Sequence, residues 1–130
     1  RTEELYTFLK ETSEKEGFDS TKIIALGYSN GANIAGALLV KHPDFLSGAI
    51  LYRPMQPYKA IEPLKTEKAV PVFFSSGAAD PTIAPGATPE YVALLESFGY
   101  NVDFHNLPTG HNLVREDIVL SAVWLQQNFK

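Results

Sequence analysis

Ser29 sits in Gly27-Tyr28-Ser29-Asn30-Gly31, after the apolar run Ile23-Ile24-Ala25-Leu26 and before a stretch of small and apolar residues at helical spacing. The pattern predicts strand, sharp turn and helix, with glycines two before and two after the serine leaving room for the backbone to crowd. A serine on such a corner projects its hydroxyl clear of a sheet. The amide of Asn30, opening the helix, would point at the negative charge that develops when the hydroxyl attacks a carbonyl. The alternative is a turn serine that caps the helix beginning at Asn30. A serine hydroxyl is a poor nucleophile until a base takes its proton, and that base needs an orienting carboxylate. Asp80 and His111 are the candidates by position. Asp80 lies in Gly77-Ala78-Ala79-Asp80-Pro81 and His111 in Pro108-Thr109-Gly110-His111, each in a loop leaving a predicted strand. Asp80 before a proline also suits a plain turn. Asp103 and Asp117, inside a predicted strand and helix, are worse placed to reach loop ends, and His42 and His105 read as surface or helix-cap residues.

The elements that must position these residues follow from periodicity. Residues 2–16 carry Leu5, Phe8 and Leu9 at i, i+3, i+4 among charges, an amphipathic helix ended by Gly17. A connector over 18–21 leads to a buried strand over 22–26, and Asn30 to Lys41 is a helix whose small residues let it lie close on a sheet. A second strand covers 48–52. Arg53-Pro54-Met55-Gln56-Pro57 cannot continue it, and the stretch to Lys68 reads as a surface loop. A third strand spans 70–76, a helix 89–97, and a half-exposed strand with polar and apolar alternation 101–107. A last helix over 113–129 places Val114, Ile118, Ala122 and Leu125 on one face, widened by Val119, Val123 and Trp124. Strands alternating with helices imply a parallel sheet covered on both faces, with ligands at the carboxyl ends of its strands. Ser29, Asp80 and His111 all fall at such ends.

The chain has 130 residues, enough for one domain spanning 1–130. Its 45% hydrophobic content is that of an ordinary globular protein, and a net charge of -4 without a basic patch argues against nucleic acid as a partner. There is no cysteine, so disulfide and thiolate chemistry are excluded and a reducing cytoplasm is the expected setting. No apolar run approaches the ~20 residues of a membrane span. Asp and His are too scattered for a metal site, and no cofactor is expected. The chain opens on Arg1 inside a charged helical pattern, with no leading strand, and reads as part of a longer protein.

Gly27-Tyr28-Ser29-Asn30-Gly31-Ala32-Asn33, Gly48-Ala49-Ile50-Leu51-Tyr52-Arg53-Pro54-Met55, Ser76-Gly77-Ala78-Ala79-Asp80-Pro81 and Thr109-Gly110-His111 together resemble the C-terminal part of an α/β-hydrolase. Within that superfamily they are most similar to the phospholipase/carboxylesterase group and its dienelactone-hydrolase-like relatives. The order Ser, acid, His is that of the α/β-hydrolases. The resemblance implies an α/β fold of about four parallel strands flanked by helices, where the whole family fold has about eight. It implies Ser29 as nucleophile, His111 as general base and Asp80 as the acid that orients it. Dienelactone hydrolases proper use cysteine where this chain has Ser29, which favours an esterase. One oxyanion donor, the Asn30 amide, is present; the other would come from a loop after an earlier strand. The expected partners are therefore a small ester and an N-terminal half, or another chain, that completes the sheet; a homo-oligomer is a further expectation. Tyr28, Arg53 and Met55 are candidates for contacting substrate, with a structural arginine the competing reading of Arg53. A thioesterase or acyltransferase using the same three residues is an alternative, as is a non-catalytic fragment that associates through its open sheet edge.

Overall fold

A computed structural model describes residues 2–16, 23–43, 45–55, 69–84 and 86–129. Among the described residues eight elements follow one another: α1 (Thr2–Glu16), β1 (Ile24–Tyr28), α2 (Asn30–Lys41), β2 (Gly48–Tyr52), β3 (Pro71–Gly77), α3 (Ala87–Ser97), β4 (Asn101–Leu107) and α4 (Arg115–Asn128). The strands form one parallel sheet in the order β1-β2-β3-β4. Gly17, the connector over 18–21 and the loop over 56–68 lie outside the described residues.

Parallel strands joined through helices bury both faces of a sheet, which explains why β2 is buried throughout and β3 along all but its end residues. On one face, Ala49, Leu51, Val72 and Phe74 pack against Leu38 and Leu39 of α2 and Tyr91 and Leu95 of α3. On the other, Ile50, Tyr52 and Phe73 meet Trp124 of α4. Burying side chains of this size stabilises the fold by about 1.5–3 kcal/mol each. The alternation read in residues 101–107 is that of β4, which is mostly exposed or half-buried at the other border of the sheet. Among the described residues no helix is long and apolar enough to cross a membrane.

Four expectations need correction. The first strand runs over 24–28 rather than 22–26, because Gly27 and Tyr28 still pair with Leu51 and Tyr52. The ladder therefore carries the chain directly to Ser29. This strand is also not buried throughout: among the described residues no element lies beyond β1, and Leu26 is 64% exposed although its neighbour in the ladder, Ile50, is 1% exposed. In α1 the inward face is Leu5, Tyr6 and Leu9, while Phe8 is exposed, since Tyr6 stacks on His42 at the end of α2. In α4 the buried residues are Asp117, Ser121 and Trp124, and Ile118, Val119 and Val123 face outward. The helix turns inward the face that carries Asp117, Ser121 and Trp124, and there the Asp117 carboxylate meets Arg53.

Candidate active site

The corner after β1 is held by backbone bonds on both sides. Ser29 N donates to Tyr52 O at 2.9 Å, and Asn33 N to Ser29 O at 3.0 Å. Between them Ser29 takes φ 55° and ψ -112°, outside the regions an L-residue prefers. Such a backbone costs on the order of 1–3 kcal/mol and persists only where the surroundings enforce it. Gly27 makes the corner feasible: a Cβ there would lie 2.4 Å from Gly31 C and 2.6 Å from Ala32 N. The side chain of Ser29 does not cap α2. Its Oγ lies 2.8 Å from His111 Nε2 instead.

His111 continues the line. Its Nδ1 is 2.7 Å from Asp80 Oδ2. An ionised carboxylate only accepts, so Nδ1 carries the proton in this arrangement and Nε2 is left to accept from the Ser29 hydroxyl. Asp80 follows β3 and its carboxylate is fully buried, whereas His111 is partly exposed. The other oxygen, Oδ1, accepts from Thr82 N at 2.9 Å and Thr82 Oγ1 at 2.6 Å. Burial works to raise the Asp80 pKa, but the bonds from Thr82 and His111 outweigh it and hold the carboxyl below its ordinary value. It therefore stays ionised, as an orienting acceptor must. Residues 29, 80 and 111, far apart in sequence, meet because β1, β3 and β4 are parallel and end on the same side of the sheet.

The expected substrate contacts have different fates. Tyr28 donates its hydroxyl to the His111 carbonyl at 3.1 Å, so it braces the histidine loop. Met55 is half-exposed and, with Pro54, Ile83, Ala84, Ala87 and Tyr91, lines a pocket of about 300 Å³ that also reaches Thr82. Arg53 does not present its side chain there. Its guanidinium is buried, paired with Asp117 at 2.8 and 2.9 Å, and bonded to Ser75 Oγ at 2.9 Å. The structural reading of this arginine, weighed at the sequence level, is the one its surroundings match. Asp117 is committed to this pair and Asp103 to His105, and His42 bonds Glu3, so none of them approaches Ser29. Among the described residues no cluster of three or more His, Asp and Glu could hold a metal ion.

Two contributors escaped the sequence. Thr82 had a local signal, since Asp-x-Thr is a common side-chain-to-backbone turn. Asp117 had none: it lies 64 positions from the arginine it pairs with, and its helix reads as apolar on another face.

A sequence profile described as Phospholipase/Carboxylesterase matches residues 2–126. Bacillus subtilis (strain 168) MhqD, itself described as a hydrolase only provisionally, is 36% identical over 127 residues, which cover 98% of this chain and 63% of that protein. The crystal structure of the Bacillus cereus carboxylesterase superposes with a TM-score of 0.93 at 35% identity, over 98% of this chain and 60% of that one. A carboxylesterase from Mesorhizobium loti gives 0.85 at 31% identity, over 96% and 59%. The chain thus spans about 60% of the length of the relatives it matches.

Proposed function

The chain belongs to the phospholipase/carboxylesterase family, and from that premise we propose that it carries the nucleophile, base and acid of a serine hydrolase that cleaves carboxylic esters. The observation that carries this reading is the continuous line from Ser29 Oγ through His111 to Asp80, with separations of 2.8 and 2.7 Å, on a serine held at positive φ. In the first step His111 Nε2 takes the Ser29 proton as Oγ attacks the ester carbonyl. Asp80, kept ionised by Thr82, stabilises the imidazolium and does not itself take the proton. The Asn30 amide, at the N-terminus of α2, donates to the developing oxyanion. His111 then returns its proton to the departing alcohol, leaving an acyl group on Ser29. Water, deprotonated by the same nitrogen, attacks that acyl group and releases the acid and the free serine. The pocket beside Thr82, walled by Pro54, Met55, Ile83 and Ala84, suits an apolar acyl or alcohol group. A further segment, or another chain, completes the sheet beside β1 and supplies the second oxyanion donor.

A fluorophosphonate probe tests the chemistry directly, because it phosphonylates only a serine that a base has activated. Labelling of the whole protein is expected at Ser29 and is lost in Ser29→Ala and in His111→Ala. Absence of labelling in the whole protein, or labelling that survives Ser29→Ala, overturns the reading.

A further inference from the structure

The loop that bears His111 has no ladder or helix of its own to fix it, yet its carbonyls from Thr109 to Asn112 each accept a hydrogen bond. Leu107 O and Thr109 O accept from Ala78 N and Ala79 N, at 2.8 and 2.9 Å. Gly110 O then accepts from Arg53 Nε at 3.1 Å, His111 O from Tyr28 at 3.1 Å, and Asn112 O from Arg53 Nη2 at 3.2 Å. One buried guanidinium therefore grips the peptide groups on both sides of the histidine. Its remaining N–H groups go to the two oxygens of Asp117 and to Ser75, so each of the five donors a guanidinium possesses has an acceptor. Asp117 is in turn fixed by Val114 N at 2.8 Å and by Ser75 Oγ at 2.7 Å. Arg53 itself leaves β2 with φ 57°, a second positive-φ residue one strand away from Ser29.

We propose that Arg53 is a positioning residue for His111, holding the carbonyls of Gly110 and Asn112 so that the imidazole stays aligned between Ser29 and Asp80. Asp117 and Ser75 take three of the five N–H groups; the two that remain must also find acceptors in a buried site, and those acceptors are carbonyls of the histidine loop, which ties the loop to the arginine. The geometry also demands arginine. A lysine ammonium is a single point with three donors and cannot span two carbonyls and a bidentate carboxylate together. The proposal rests on His111 being the base.

The test uses the whole protein with Arg53→Met and Arg53→Lys. It reads kcat and KM on a simple ester per folded molecule, and amide hydrogen exchange at Ala78, Ala79 and Thr109, whose N–H groups bond the carbonyls of this loop. A displaced histidine affects the chemical step more than substrate binding, so Arg53→Met is expected to lower kcat by about 10- to 100-fold while KM changes by less than about threefold. Exchange at Ala78, Ala79 and Thr109 should quicken by about tenfold or more, with the β2 and β3 ladder unchanged. Arg53→Lys should recover thermal stability but remain at least about fivefold slow. A folded Arg53→Met protein with kcat within about twofold of wild type and unchanged loop exchange overturns the proposal. Should Arg53→Met not fold, Arg53→Lys decides by the same criterion. Should the wild type show no activated Ser29, the proposed function fails, and the exchange comparison alone decides whether Arg53 holds the loop.

Discussion

The two glycines of Gly27-Tyr28-Ser29-Asn30-Gly31 look equivalent in sequence and are not equivalent in space. A methyl at position 27 would sit 2.4 to 2.6 Å from backbone atoms of Gly31 and Ala32, which cannot swing aside as a flexible side chain could. At position 31, inside α2, an added methyl meets nothing within 4 Å. Gly27→Ala is therefore expected to push β1 away from the start of α2, displace Ser29 and abolish fluorophosphonate labelling. Gly31→Ala should fold normally and gain up to about 1 kcal/mol from better helix propensity. Thermal unfolding and probe labelling of both variants check the contrast, and equal behaviour would contradict the close-approach account of Gly27. Residue types and spacing picked out Ser29, Asp80 and His111 as candidates, since each stands where a strand gives way to turn-forming residues, and the structure brings the three side chains within 2.8 and 2.7 Å of one another in line. They were not enough for Arg53, because nothing local separates an arginine that meets substrate from one that pairs with a carboxylate 64 positions away.

At the level of elements, α4 shows what a buried ion pair does to a helix. Its apolar residues Ile118, Val119 and Val123 remain exposed, while Asp117 and Ser121 turn inward with Trp124. Periodicity misplaced this face because it counts apolar residues and cannot see that Arg53 needs a carboxylate. The pair also makes stability depend on acid. Burial tends to raise the Asp117 pKa, but the bonds from Arg53, the Val114 amide and Ser75 outweigh it and hold the carboxyl below its ordinary 3.8. A depressed folded-state pKa contributes stability that is present above the unfolded value and is lost as pH falls through the folded one. The unfolding free energy of the wild type should thus be level near neutral pH and fall once the pH drops below about 4. Asp80 adds the same sign. Asp117→Ala is expected to lower stability at neutral pH by about 3–5 kcal/mol, because it strands a buried guanidinium, and to flatten the acid decline. Urea unfolding across pH measures both. An undiminished acid slope in the variant would assign the decline to other carboxyls.

At the scale of the molecule, β1 and β4 are the two borders of the sheet among the described residues. The relatives that superpose on this chain are longer, with the chain covering 60% of the Bacillus cereus structure. Leu26 projects 64% exposed from the face on which its ladder neighbour Ile50 is covered. Four strands in order with helices on both faces could be read from the alternation of patterns. That β1 lies at the border was legible only through the resemblance, which implies a further strand beside it in the whole fold; by itself Ile24-Ala25-Leu26 has the composition of a strand with neighbours on both sides. The composition fits the proposal that a further segment or chain covers this strand, and Leu26→Lys provides a way to test it. In residues 1–130 alone the substitution puts a charge on a side chain already in water, so stability should change by less than about 0.5 kcal/mol. Self-association through the open edge should decrease, since lysine on a border strand opposes pairing. In the whole protein the same lysine would be forced under the covering segment and should cost about 2–3 kcal/mol, the burial value of a leucine plus the difficulty of hiding an ammonium. Denaturant unfolding and sedimentation on both forms make the comparison. A cost that is small in both leaves β1 uncovered in the whole protein and removes the basis for a second oxyanion donor from that side.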